Sequence, residues 1–222
     1  MGKKTKLLIT NKIEKLIKVL SEKGISDVRV LQAMLEIPRH EFLDGVFDAQ
    51  AYEDMSLPIG HKQTISQPFI VARMTELLIS GTAFVDRPLG EVLEIGAGCG
   101  YQTAVLSKIC RKVFAIERIE QLCTVAKTNL KKLNINNFEI KHGDGYEGWK
   151  IEKKFDGILC AAAAPLVPKK LKQQLNLGAK LVCPVGDEES QKLMTVKRIS
   201  KEGFEEELVE NVLFVPMLEG VD

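Results

Sequence analysis

The run EVLEIGAGCG, Glu91 to Gly100, combines residue types and spacing that could hold a ligand. Glu91 to Ile95 has the β-branched and leucine content of a short buried strand. Gly96, Gly98 and Gly100 then alternate, and Tyr101 to Ile109 has the pattern of a helix. A strand feeding a glycine turn and then a helix predicts bare backbone N–H groups beside a ligand. That turn falls at the C-terminal edge of the strand, where open α/β sheets bind ligands. A dinucleotide fingerprint needs G-x-G-x-x-G, and position 101, where its third glycine would stand, is Tyr.

Two acidic positions follow at strand ends. Glu117 closes the next expected strand, placed to accept hydrogen bonds from two ribose hydroxyls, with Arg118 beside it. Asp144 sits between Gly143 and Gly145 after the third, where it could reach an adenine amino group. On the N-terminal side, Ser66 precedes Gln67-Pro68 and could cap a helix or orient an acceptor. Cys99, inside the glycine turn, reads as a small residue that fits rather than as a reactive thiol. His40 and His61 read as packed or surface residues, because no further ligand stands at metal spacing; no metal site is expected.

The elements that must position these residues are visible in the periodicity. Ile13, Leu16, Ile17 and Leu20 recur as one face of a helix whose outer face is basic, with six lysines and one acid between residues 3 and 20. Gly24 ends it, Ser26 or Asp27 caps a second helix carrying Val30, Leu31, Met34 and Leu35, and Pro38 stops that one. Residues 39–66 predict a short helix and then a long extended loop, a feature that is usually functional. Pro68 opens a helix buried through Ile70, Val71, Met74, Leu77 and Leu78. Strands are expected at 91–95, 112–116, 138–142, 155–160 and 180–185. The helices between them are expected at 101–109, at 120–133 with Val125, Ala126, Leu130 and Leu133 inward, and at 168–175 ended by Gly178. This βα rhythm predicts a parallel sheet covered on both faces. Strand-like runs 193–200, 204 onward and 212–215, joined by a Lys201–Gly203 turn, predict an antiparallel C-terminal edge. Five acids between Glu202 and Glu210 fit an edge that discourages strand addition.

Composition narrows the class. The chain has 222 residues, 45% hydrophobic and 27% charged, with net charge +1. That is enough chain for a real core in one domain, and no global field recruits nucleic acid or membrane. Five scattered cysteines without a C-x-x-C pair argue for a reducing cytoplasm rather than a disulfide framework. No apolar run reaches the roughly 20 residues of a membrane span, and the N-terminus lacks the apolar core of a signal peptide.

The G-x-G-x-G turn, two residues after the acid Glu94, is similar to that of S-adenosylmethionine-dependent methyltransferases. The run PIGHKQTISQP, with AYED before it, is more specific. Together with LEIGAGCGYQTAVL, FAIER, GDGYEGW, AAAAP and FVPML, it resembles the protein-L-isoaspartate O-methyltransferase family, in family order over about residues 34 to 218. The resemblance implies an α/β, Rossmann-like methyltransferase three-layer sandwich: a mostly parallel sheet with an antiparallel C-terminal edge, and N-terminal helices. It implies one domain, with helices and active-site loop in 1–80 and the cofactor-binding core in 88–222. It implies S-adenosyl-L-methionine as cofactor and isoaspartyl-containing peptides and proteins as substrates. The methyl goes to the free α-carboxylate, and the ester then closes to a succinimide whose hydrolysis returns some normal aspartate.

By the same resemblance the active-site serine maps to Ser66. Cofactor positions map to Thr64, Ile65, Glu94, Gly96, Ala97, Gly98, Glu117, Arg118, Asp144 and Gly145. Substrate positions map to Ile59, Gly60, His61, Val215 and Pro216. Lys62 stands where bacterial members usually have Gly, Ala161 where Thr is frequent, and Ala97 and Cys99 where Thr and Ser are common. A monomer in the cytoplasm is expected.

The chemistry is compatible with that assignment. A carboxylate with a pKa of about 4 is ionised at neutral pH, so attack on a sulfonium methyl needs no general base. The site must align the reactants and strip water from the carboxylate. A neutral hydroxyl at Ser66 can hold one carboxylate oxygen without neutralising it. A cofactor-binding module without catalysis would not need the intact QTIS segment. A nucleic-acid methyltransferase would need a polar acceptor motif after the fourth strand, where this chain has Cys160 followed by four alanines and Pro165.

Overall fold

A computed structural model describes residues 3–150, 152–187 and 189–222, with side chains described from residue 8 onward. Helix α1 (Lys3–Glu22) ends where Ile25 N donates to Leu20 O at 3.1 Å across Gly24, a Schellman-type closure. Helix α2 (Val28–Glu36) is capped by Asp27, whose carboxylate accepts from Arg29 N. Two short 3₁₀ turns, Arg39–Phe42 and Gly45–Phe47, lead to a hairpin of β1 (Leu57–Gly60) and β2 (Gln63–Ile65), and then to α3 (Pro68–Ile79). The remainder alternates: β3 (Leu89–Ile95), α4 (Tyr101–Ile109), β4 (Cys110–Glu117), α5 (Glu120–Lys132), β5 (Phe138–His142), β6 (Phe155–Cys160), α6 (Lys169–Gln173) and β7 (Leu175–Gly186). Strands β8 (Gln191–Arg198) and β9 (Phe204–Val212) complete the sheet.

The sheet order is β5-β4-β3-β6-β7-β8-β9; β5 to β7 are parallel and the last two strands antiparallel. The chain winds outward from β3 through β4 to β5, then returns to β6 on β3's other side. The crevice at that reversal is the expected ligand position of a doubly wound sheet. Alternation along each strand divides the core in two. Val92, Val113, Ala115, Leu159 and Val182 face a layer packed by α1 to α5. Leu93, Phe114, Ile116, Ile158 and Leu181 face the other side, where Trp149, Leu171 and Met217 pack.

The sequence expectations differ from this structure in four places. The extended loop before α3 contains the β1–β2 hairpin. Gly178 does not end a helix; α6 stops at Gln173, and Gly178 lies in β7 at a bulge, where Phe155 pairs with Leu175 but Gly157 with Lys180. Val125 is exposed, because α5 buries Leu122, Cys123, Ala126 and Leu130 instead. Residues 213–215 form no strand; Pro216 makes a single bridge to Ala163. Edge strand β9 carries Glu205, Glu206, Glu207 and Glu210, of which Glu206 pairs Lys172 and Glu210 pairs Arg73.

Candidate active site

The C-terminal ends of β3, β4 and β6 open into a cavity that communicates with solvent. The glycine turn forms one wall. Gly96, Gly98 and Gly100 all have positive φ, which explains their residue type. Their amides are not bare, as the sequence pattern had predicted. Gly96 N and Ala97 N donate to Ile116 O at 2.8 and 3.3 Å, Gly98 N to Glu117 Oε2 at 2.7 Å, and Gly100 N to Ala97 O at 2.8 Å. The turn therefore offers close approach and a neighbouring carboxylate rather than a cradle of free donors for phosphate.

Glu117 is 5% exposed and lines the cavity. Its Oε2 binds the glycine turn and its Oε1 accepts from Ile119 N at 3.0 Å. Each oxygen keeps lone-pair capacity for a further donor. Arg118 lines the cavity and pairs with Asp222 at 2.7 Å. Glu94 lies behind the turn rather than on the cavity wall. It is fully buried and accepts from Thr103 Oγ1, its second oxygen has no partner, and burial pushes its pKa up to about 8. Cys99 is buried, and desolvation raises its thiol to about 11, so it holds no thiolate at neutral pH.

Gly145 lines the cavity at a contact only glycine allows: a Cβ there would lie 2.5 Å from Ile95 Cγ2. Asp144 turns away from the cavity wall. Its Oδ1 accepts from Tyr146 N at 2.8 Å and its Oδ2 from Gly220 N at 2.7 Å. With Tyr146 Oη donating to Met217 O at 3.2 Å, it pins the segment carrying Val215, Pro216, Met217 and Leu218, all of which line the cavity. Ala163, three residues past the end of β6, fixes the same segment, donating to Val215 O and accepting from Met217 N.

The opposite wall of the cavity is built by the hairpin and the residues that follow it. Gln63, Thr64, Ile65 and Ser66 line the cavity. Ile59 and Gly60 line a neighbouring groove that meets the cavity at Cys99, and His61 with Lys62 forms the hairpin tip. Ser66 does not cap α3. Gln67 occupies the N-cap position without a side-chain cap bond, and Asp54 Oδ1 accepts from Phe69 N at 2.7 Å in its place. Asp54 also accepts from Gln67 Nε2 at 3.0 Å and pairs with Lys23 at 2.6 Å. The buried guanidinium of Arg39 donates to three carbonyls: Ala51 O at 2.7 Å, Met55 O at 2.9 Å and Ser66 O at 3.1 Å. Neither Arg39 nor Asp54 stood out in the sequence: Arg39 binds backbone carbonyls of distant residues, and the partners of Asp54 lie 13 to 31 residues away.

The cavity suits a nucleoside-bearing cofactor: apolar Ile119, Met217 and Leu218 can flank a ring, and the Glu117 carboxylate can hold a diol. A parallel sheet with this glycine turn, closed by antiparallel β8 and β9, defines a Rossmann-like methyltransferase. Comparisons with known proteins narrow this further. Residues 11–222 match the model of the family described as protein-L-isoaspartate(D-aspartate) O-methyltransferase. A protein-L-isoaspartate O-methyltransferase of Pseudomonas paraeruginosa is 48% identical over 207 residues, covering 93% of this chain and 95% of that protein. One from Methylobacillus flagellatus is 48% identical over 211 residues, covering 94% and 92%. Among solved structures, a Plasmodium falciparum protein described as the same type of enzyme, in complex with S-adenosyl-L-homocysteine, superposes with a TM-score of 0.79. It is 26% identical and covers 93% of this chain and 98% of its own. The chain belongs to the protein-L-isoaspartate O-methyltransferase family.

Proposed function

We propose that this chain transfers the methyl group of S-adenosyl-L-methionine to the free α-carboxylate of L-isoaspartyl residues in damaged proteins and peptides. The observation that carries the reading is Ser66. It lines the same cavity as Glu117, and its hydroxyl is relieved of capping by Asp54.

The bound cofactor supplies an electrophilic sulfonium methyl. Glu117 receives the ribose hydroxyls, while Gly96, Ala97, Gly98 and Gly145 let the cofactor lie close to the backbone. Asp144 shapes the adenine end by holding residues 217–220 in place. Thr64 and Ile65 cover the cofactor from the hairpin. Ser66 donates its hydroxyl to one acceptor oxygen, leaving the other free to attack. No proton has to move, because the acceptor is already ionised. Ile59, Gly60, His61, Val215 and Pro216 border the path of the peptide. Exclusion of water by the hairpin and residues 215–218 removes solvation that would blunt the nucleophile.

No described helix is long and apolar enough to cross a membrane. We place the enzyme in the cytoplasm, acting as a monomer on proteins rather than nucleic acid. The five free buried cysteines and the net charge of +1 support this. The test is product chemistry. With methyl-labelled cofactor and an isoaspartyl peptide, label should appear as a base-labile ester that releases methanol. Label that is stable to base would reject a carboxyl acceptor.

A further inference from the structure

We infer that Arg39 is the positioning residue of the acceptor side, holding Ser66 in register with the hairpin through its main-chain carbonyl. The inference rests on the functional reading above and adds a residue to it.

Arg39 is fully buried, yet among the described residues no carboxylate lies within ion-pair distance of it. Taking a cation out of water costs several kcal/mol unless partners compensate. Here the compensation is three carbonyl oxygens and the face of Tyr101, whose ring centroid lies 5.8 Å from the guanidinium. Nε has no partner. A packed apolar side chain would fill this volume without that cost.

What only a guanidinium can do is join three segments at once. Its planar fork reaches Ala51 and Met55, which bracket the loop before the hairpin, and Ser66, which ends it. Tyr101 ties the same group to the helix after the glycine turn. The fork therefore links the acceptor-binding segment to the cofactor-binding turn. A shift of about 1 Å at a reacting centre can cost on the order of 10²-fold in rate, so a rigid link here has a direct kinetic consequence. Glu117, the main anchor proposed for the cofactor, is held by the Gly98 and Ile119 amides and not by Arg39.

The test is a double-mutant cycle on the full-length enzyme with an isoaspartyl peptide. Arg39→Lys keeps the charge but loses the fork, and Arg39→Gln keeps two donors without the charge. Both should retain cooperative unfolding and the wild-type affinity for S-adenosyl-L-homocysteine. Both should lose kcat by roughly 10²-fold, with little change in cofactor KM. Adding Ser66→Ala to either should cost little more, because the hydroxyl is already misplaced. Additive losses would overturn the inference while leaving Ser66 in its role. Variants that no longer bind S-adenosyl-L-homocysteine would also overturn it, since Arg39 would then hold the whole fold. Wild-type enzyme inactive on the peptide would overturn the functional reading as well.

Discussion

Glu117 Oε2 accepts the Gly98 amide at 2.7 Å, so the carboxylate that ends β4 and the glycine turn that ends β3 form one unit. The bond crosses two neighbouring parallel strands. It holds the carboxylate at the cavity wall and at the same time fixes the backbone of the glycine turn. Glu117→Ala should therefore weaken S-adenosyl-L-methionine binding by about 1.5–3 kcal/mol, the range for hydrogen bonds to a charged group. Calorimetry reads this directly; unchanged affinity would remove Glu117 from the cofactor site.

Capping and chemistry separate at the start of α3. Asp54→Ala should cost about 1 kcal/mol or more of stability through loss of the cap on Phe69 N. Ser66→Ala should leave the melting temperature nearly unchanged while turnover collapses. Melting curves and initial rates for both variants check the division. If Ser66→Ala destabilised as much as Asp54→Ala, Ser66 would be a cap after all.

The hairpin tip carries strain at an identifiable position. His61 and Lys62 have φ of 51° and 57°, both in the left-handed region that a two-residue type I′ turn requires. Lys62→Gly removes a steric penalty of about 1 kcal/mol, offset in part by glycine's greater freedom when unfolded. A net gain of a few tenths of a kcal/mol in stability is expected, read by denaturant unfolding. A loss would mean that Lys62 makes compensating contacts.

Much of the fold was legible because its signals are local. The β3–turn–α4 run was readable from glycine spacing and β-branched content, and the ends of β5 and β6 fell where the pattern placed them. The β1–β2 hairpin was not visible, because His61-Lys62 replaces the Asn-Gly or Asp-Gly pair that announces a type I′ turn. Gly178 read as a helix stop because a bulge inside a strand and a helix end use the same residue. In the site, Glu117 was legible from its position at a strand end. Arg39 and Asp54 were not: Arg39 binds main-chain carbonyls 12 to 27 residues away, which carry no side-chain signature, and the partners of Asp54 lie 13 to 31 residues away with no local spacing to join them. Ser66 had two readings in the sequence; Asp54 rather than Ser66 caps α3, and Ser66 lines the cavity.

Glu94 gives a pH signature. Its pKa is raised in the folded state, from 4.5 to about 8, chiefly by burial, with Glu117 adding to the shift. Its favourable protonated state is fully available below the unfolded value and is lost as pH rises through the folded one. Glu94→Gln mimics the protonated form at every pH. The stability of wild type relative to Glu94→Gln should therefore fall between about pH 5 and about pH 8 and level off above that. A difference that does not change with pH would show that Glu94 is ionised in the fold.

The acceptor itself is tested most directly by a pair of peptides identical except for one residue, aspartate in one and L-isoaspartate in the other. Each is incubated with the enzyme and methyl-labelled S-adenosyl-L-methionine, and ester formation is followed over time. Ester should form on the isoaspartyl peptide, with the aspartyl peptide near background, and Ser66→Ala should abolish the difference by removing the signal. Equal labelling of both peptides, or labelling of neither, would contradict the account.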